Sequence, residues 1–199
     1  MIDQVDKKDI GQDRGKVLLG IARSSIAEAM GIGSASTPHD EWLNEWGATF
    51  VTLTQGGELR GCIGTLQAHR PLAEDVRQNA LAAAFRDPRF LPLAKHELEA
   101  TECEVSLLSP AEAMEFRDEH DALSQLRPGI DGIVLEYGRY RSTFLPQVWE
   151  QLPQPHRFMA QLKRKAGLPD SFWAEEIRLA RYTVSKWREL DLAEAGRNG

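Results

Sequence analysis

The chain has 199 residues, with 24 Lys and Arg against 30 Asp and Glu, for a formal net charge of −6 at pH 7. A chain of this length buries roughly 70% of its unfolded surface, so its core needs neither a metal nor a disulfide. The negative balance argues against a general nucleic-acid binder, because phosphate binding draws on clustered Lys and Arg, and the basic run Lys163-Arg164-Lys165 reads as a solvated helix end.

Only two cysteines occur, Cys62 and Cys103, and the opening residues hold no apolar core of signal-peptide length. A reduced, cytoplasmic setting is therefore expected rather than a disulfide framework. No run approaches the ~18 apolar residues that span a membrane, so no membrane association is expected.

Residues 1–13 are predicted to be a disordered arm, residues 14–190 a single domain, and residues 191–199 a frayed tail. Asp13 is placed as the N-cap of a helix from Arg14 to Met30, whose Val17, Leu18, Ile21, Ala22 and Ile26 share one face and which Gly31 and Gly33 end. Trp42, Leu43 and Trp46 read as a packing cluster. Ala48–Thr54 alternates as a strand, and Gly56-Gly57 supplies the positive φ angles of a tight hairpin. The returning arm, Glu58 to Leu66, holds Cys62 between Gly61 and Gly64, and strict alternation puts Arg60, Cys62 and Gly64 on one face.

Pro71 opens a second helix with a buried stripe of Leu72, Val76, Ala80, Ala83 and Ala84, and Pro88 stops it near Arg86. A strand at Glu102–Leu108 follows, then a short helix around Asp121–Leu126 and a second hairpin, Ile130–Tyr137 and Arg139–Leu145, turning at Gly138. Phe158, Leu162 and Ala166 mark a helix capped by Gly167. Ile177–Trp187 reads as a final strand whose apolar parity slips midway, which suggests a bulge. Hairpins with flanking helices and no regular βαβ alternation indicate an α+β fold.

Two glycines within four residues are unusual in a core strand and mark a bulge or the close approach of a ligand or another backbone. Cys62 has two readings: a thiolate favoured by the nearby Arg60 cation, or a small buried hydrophobe. The five histidines lie in loop-like or helix-edge contexts, so none is marked as a base for the thiol. Metal-ligand spacings and a phosphate-cradling loop are both lacking, and no cofactor is predicted. Asp87 and Arg89 read as an ion pair at a helix end, Glu104 and Ser106 as the polar face of a strand. Asp131, between Gly129 and Gly132, reads as turn chemistry, and Gln147, which with Thr143 flanks Phe144-Leu145-Pro146, as a ligand contact or a cap.

The stretch Leu59-Arg60-Gly61-Cys62-Ile63-Gly64-Thr65 resembles the hallmark motif of the AMMECR-one family. Arg70-Pro71-Leu72, Asp87-Pro88-Arg89-Phe90, Glu104-Val105-Ser106-Leu107-Leu108, Pro128-Gly129-Ile130-Asp131-Gly132-Ile133, Ser142-Thr143-Phe144-Leu145-Pro146-Gln147-Val148-Trp149 and Lys165-Ala166-Gly167-Leu168 are similar to further family stretches, in order, while Cys103 matches none. The resemblance implies two unequal lobes around mostly antiparallel sheets with flanking helices, and a cleft between them lined by the hallmark strand. Relatives occur alongside a Memo-like protein and a radical-SAM protein, the AmmeMemoRadiSam system, which implies these as partners. Two functions are carried forward. One is a thiol-based enzyme or catalytic partner using Cys62 and Arg60, with Gly61, Gly64, Arg89, Glu104, Asp131, Thr143 and Gln147 in the cleft. The other is a non-catalytic ligand-binding or adaptor protein.

Overall fold

The computed structural model describes residues 3–34 and 38–191. They divide into two compact units, one running to Leu108 and resuming at Ser185, the other spanning Ser109–Val184. The fold is α+β, with a four-stranded sheet in each unit. Most of the tail expected at 191–199 lies outside the described residues, as do Met1 and Ile2.

In the first unit, α1 runs Asp3–Ala29, β1 Ala48–Gln55, β2 Glu58–Gly64, α2 Leu72–Phe85 and β3 Thr101–Leu108. The sheet, completed by β8 (Val184–Arg188), has the order β2-β1-β3-β8, so β2 is an edge strand. Every second residue of β1 and β3 turns toward the helices. Val51, Leu53, Cys103 and Val105 form one core with Leu18, Ile21, Ala22 and Ile26 of α1 and Val76, Ala80, Ala83 and Ala84 of α2. Burying each larger aliphatic side chain contributes about 1.5–3 kcal/mol.

Two expectations change here. The first helix begins at Asp3, so Asp13 is an interior residue bonded to Lys16 at 3.3 Å rather than a cap, and the arm expected over 1–13 is helical backbone from Asp3. Once a helical nucleus exists, each further residue adds a hydrogen bond at little cost. In the expected Trp cluster, Leu43 is buried but Trp46 is 69% exposed, its backbone bridged to Pro71.

In the second unit, β4 (Glu112–Ala113), α3 (Glu119–Ser124), β5 (Gly132–Tyr137), β6 (Tyr140–Phe144), α4 (Pro155–Ala166) and β7 (Arg178–Tyr182) follow in order. The sheet order is β4-β7-β5-β6. Its core joins Ile133, Leu135 and Leu179 to Phe158, Met159 and Leu162 of α4, with the Trp149 ring stacked on Phe158 at 3.8 Å. Gly167 ends α4 at φ 87°, the left-handed cap expected of it.

Lys163 is not part of a solvated end. It is 1% exposed, its ammonium donating to Glu119 at 2.5 Å and to the Asp170 carbonyl at 3.0 Å, with the Trp173 ring 5.5 Å away. The final strand is also two strands. β7 pairs in the second sheet and β8 in the first, and the chain leaves one sheet for the other at Thr183. There Thr183 exchanges hydrogen bonds with Ser109 instead of with a strand. The parity slip lies earlier, between Leu179 and Tyr182 of β7, which pairs with β5 without a bulge.

Candidate functional site

The hairpin β1–β2 turns through Gly56 and Gly57 at φ 58° and 85°, which L side chains rarely adopt. Its register is not uniform: Thr54 pairs with Leu59, but Leu53 pairs with Gly61, which leaves Arg60 as an unpaired bulge residue. Beyond it Thr52 pairs with Cys62, Val51 with Ile63 and Phe50 with Gly64.

Cβ atoms of paired residues share a face. Gly61 and Ile63 therefore follow Leu53 and Val51 toward the helices, while Cys62 and Gly64 follow Thr52 and Phe50 to the opposite face. That opposite face continues across β1 into β3, where Phe50 pairs with Ser106, Thr52 with Glu104 and Thr54 with Glu102. A rung Cys62–Thr52–Glu104 thus crosses three strands. Cys62 is half-buried there, and the Thr52 hydroxyl donates to its Sγ at 3.3 Å.

Cys62 also lies where an antiparallel ladder turns peptide groups outward. Thr65 N–H donates to the Thr49 carbonyl at 2.8 Å, so Thr49–Thr65 is a hydrogen-bonded pair and Thr52–Cys62, three rungs on, is not. On an edge strand such groups need partners, and two side chains supply them. Asp87 Oδ2 accepts from Cys62 N–H at 2.9 Å, and Arg89 Nη2 donates to the Cys62 carbonyl at 3.0 Å. Arg89 closes on Asp87 through Nε and Nη2 at 2.9 and 2.7 Å, a two-pronged ion pair. Those bonds from Arg89, helped by the Cys62 and Arg89 amides, hold the Asp87 carboxyl well below the usual carboxylate range against the penalty of its burial.

Among the described residues Arg60 makes no hydrogen bond to the thiol. The bulge sends its side chain to Glu97, to which Nε and Nη2 both donate at 3.1 Å, and Nη1 donates to the Leu91 carbonyl at 2.9 Å. The Arg60 fork, with the Ala94 amide, lowers the Glu97 carboxyl from 4.5 to about 2. Phe90 lies against both arginines, its ring centroid 6.0 Å from the Arg60 guanidinium and 5.5 Å from that of Arg89. Both cations of the hallmark region are therefore tied to their own carboxylates and strap the segment 87–97 onto β2.

The glycines face the protein itself. A Cβ on Gly61 would come within 3.0 Å of the Ala83 carbonyl oxygen of α2, and one on Gly64 within 3.0 Å of the Phe50 ring. Cys103 is fully buried, and burial pushes its thiol far up. All five histidines are exposed, and among the described residues none bonds to Cys62. No three His, Cys, Asp or Glu side chains among the described residues are grouped to hold a metal ion.

The loop after Gly64 is pinned by a network that the sequence did not mark. Asp75, fully buried in the first turn of α2, accepts from Thr49 N–H and Oγ1 at 2.8 and 2.7 Å, Thr65 Oγ1 at 2.8 Å, Arg70 Nε at 2.8 Å and Asn79 Nδ2 at 2.9 Å. The remaining residues expected at the site belong to the second unit. Asp131 is fully buried under a fork from Arg127, which donates at 2.6 and 2.9 Å, and its carbonyl accepts from Trp149 at 2.7 Å. Thr143 Oγ1 shares a hydrogen bond with Tyr182 at 3.1 Å, and Gln147 is exposed on the 3-10 turn Pro146–Glu150.

The structure thus gathers Cys62, Thr52, Glu104, Asp87 and Arg89 around one strand, with Thr52 as the contact that sequence reasoning missed. No helix among the described residues is long and apolar enough to cross a membrane.

Known proteins share both sequence and fold. A protein of Methanothermobacter thermautotrophicus is 35% identical over 189 residues, covering 90% of this chain and 96% of its own. One of Sulfolobus acidocaldarius is 37% identical over 194 residues, covering 92% of this chain and 85% of its own. The crystal structure of the uncharacterized protein PH0010 from Pyrococcus horikoshii matches with a TM-score of 0.71 at 32% identity, covering 88% of this chain and 91% of that one. Residues 19–187 match the AMMECR1 family, and the chain is a member of that family.

Proposed function

We propose that this AMMECR1-family protein has a thiol-dependent function, with the Cys62 sulfur as the group that engages a ligand on the face of the first sheet opposite its helices. The observation that carries this reading is the contrast between its two cysteines. Cys103 is sealed in the core, whereas Cys62 is half-buried on a face that the helices of its unit do not cover. Its peptide is held at both N–H and C=O, and a hydroxyl is aimed at its sulfur. A fixed, accessible thiol is what a nucleophile or covalent ligand contact requires.

Labelling of the native protein with iodoacetamide, followed by peptide mass spectrometry, tests it. The expected result is one label, at Cys62, entering at least as fast as into a small free thiol, with Cys103 labelled only in denaturant. Labelling of Cys62 as slow as that of Cys103 would remove the reading.

An adaptor role is favoured by a separate observation. Leu91 is 83% exposed on the segment that Arg60 straps to β2, and Leu59 of the hairpin is also exposed. Large apolar side chains left in water support contact with a protein partner, and the family resemblance suggests Memo-like and radical-SAM proteins. Co-purification with either protein, lost in Leu91→Asp but kept in Cys62→Ser, is the expected outcome. No association at micromolar concentration would refute it.

A further inference from the structure

We infer that the ligand engaged at Cys62 carries a carboxylate, and that Arg89 receives it. The inference rests on the reading of Cys62 as the engaging group and adds the chemical class of what it takes.

The two arginines beside β2 differ in what they leave free. Arg60 uses all three nitrogens, Nε and Nη2 on Glu97 and Nη1 on the Leu91 carbonyl, and its side chain is 15% exposed. Arg89 uses two. Its Nε donates to Asp87, and its Nη2 to Asp87 and to the Cys62 carbonyl, while Nη1 has no acceptor among the described residues. That side chain is 52% exposed. It also neighbours the thiol: the guanidinium is held above its ordinary value chiefly by its bond to Asp87, and the Cys62 side chain adds to that.

Asp87 cannot take up the spare nitrogen. Its carboxylate is buried, and both oxygens are already filled, Oδ1 by the Arg89 amide and Nε, Oδ2 by the Cys62 amide and Arg89 Nη2. The ion pair therefore has a direction. Its anion is turned inward and its cation outward, next to the sulfur. The other group on the sulfur is a donor as well, the Thr52 hydroxyl at 3.3 Å. Glu104, which pairs with Thr52, stands two strand spacings from Cys62, about 10 Å away.

A ligand over Cys62 thus meets donors first. Arginine N–H groups form their strongest hydrogen bonds with carboxylate and phosphate oxygens. Phosphate sites draw on several donors at once, and a single free nitrogen suits the singly charged carboxylate. Because guanidinium and thiol are neighbours, that carboxylate lies only a few bonds from the atom that meets the sulfur.

The test compares iodoacetate with iodoacetamide, which differ by a carboxylate against an amide of similar size. With both, the sulfur–carbon bond forms as the carbon–iodine bond breaks, and iodide leaves with the bonding pair. Rates at Cys62 of the full chain are followed by peptide mass spectrometry in ~0.15 M NaCl, where a charge ~10 Å away is largely screened and a direct contact is not. The iodoacetate-to-iodoacetamide ratio, divided by that of 2-mercaptoethanol, is expected to be about 5, the margin of a charge-assisted over a neutral hydrogen bond. It should fall toward 1 in Arg89→Gln. The double variant Asp87→Asn with Arg89→Gln leaves no buried charge unpaired, and it should give the same fall if the single change misfolds. A merely structural loss would slow both reagents alike and leave the ratio unchanged.

A normalised ratio at or below 1 with iodoacetamide still reacting, or a raised ratio that neither variant lowers, overturns the inference. Failure of Cys62 to react with either reagent while both label the unfolded chain is a different pattern, and it takes down the thiol reading together with this one.

Discussion

Replacing Gly61 and Gly64 by alanine separates two reasons for glycine in the hallmark strand. At Gly61 the added methyl would meet the Ala83 carbonyl oxygen, which belongs to the backbone of α2 and cannot rotate away. To restore ordinary contact, β2 and α2 must part by about 1 Å, and a gap of that size forfeits a quarter to a half of each contact across it. Overpacking of this kind costs about 1–3 kcal/mol, and the rigid neighbour puts Gly61→Ala near ~3 kcal/mol. At Gly64 the methyl would meet the Phe50 ring, a side chain on the face away from the helices that can rotate. Gly64→Ala should cost about 1 kcal/mol. Urea denaturation at constant m, with midpoints in the order wild type, Gly64→Ala, Gly61→Ala, is the expected result. A Gly61→Ala midpoint equal to wild type, or above that of Gly64→Ala, would refute the account of β2 packed directly on the α2 backbone.

Three other outcomes are expected. Gly20 lies inside α1 with nothing within 4 Å of an added methyl group, so Gly20→Ala should raise stability by about 0.5–1 kcal/mol in the same urea assay. The Arg60–Glu97 pair favours the ionised Glu97, whose folded value of about 2 lies below its ordinary 4.5. Its contribution is complete above pH 4.5 and lost as pH falls toward 2, so the deficit of Arg60→Ala, about 2 kcal/mol at pH 7, should shrink on acidification. A deficit that grew toward pH 3 would contradict this sign. Asp75→Ala leaves the Arg70 charge and several buried donors unpaired, and calorimetry should find it about 3–5 kcal/mol less stable than wild type.

What the sequence made legible was local. The Gly56-Gly57 turn, the α2 stripe ending before Pro88 and the Gly167 cap each depend on residues within one or two turns of chain, and each appears where expected. The same reasoning puts Arg60 on the face of Cys62, but its partner Glu97 lies 37 residues on, in a segment whose sequence has no periodicity to announce it. The charged neighbours Arg164 and Lys165 argue for solvent at Lys163, yet α4 turns it inward where Glu119, Asp170 and Trp173 receive it. The parity slip between Leu179 and Tyr182 suggests a bulge, yet β7 pairs with β5 without one, Leu179 being buried in the core with α4 and Tyr182 on the other face against Gly132. Apolar side chains buried on both faces of one strand leave the same mark on alternation as a bulge, and only the pairing partners tell them apart.

The single unpaired residue at Arg60 settles which way the thiol looks. Counted outward from Gly56 and Gly57 without interruption, the hairpin would set Thr52 against Gly61 and Val51 against Cys62. Cys62 would then enter the core beside α1 and α2, as inert as Cys103. One extra residue shifts the arm so that Thr52 meets Cys62 and the glycine takes the crowded side. The motif therefore works as a counting device as well as a set of side chains: its length between turn and cysteine, odd or even, decides whether the sulfur faces the helices or the opposite side of the sheet.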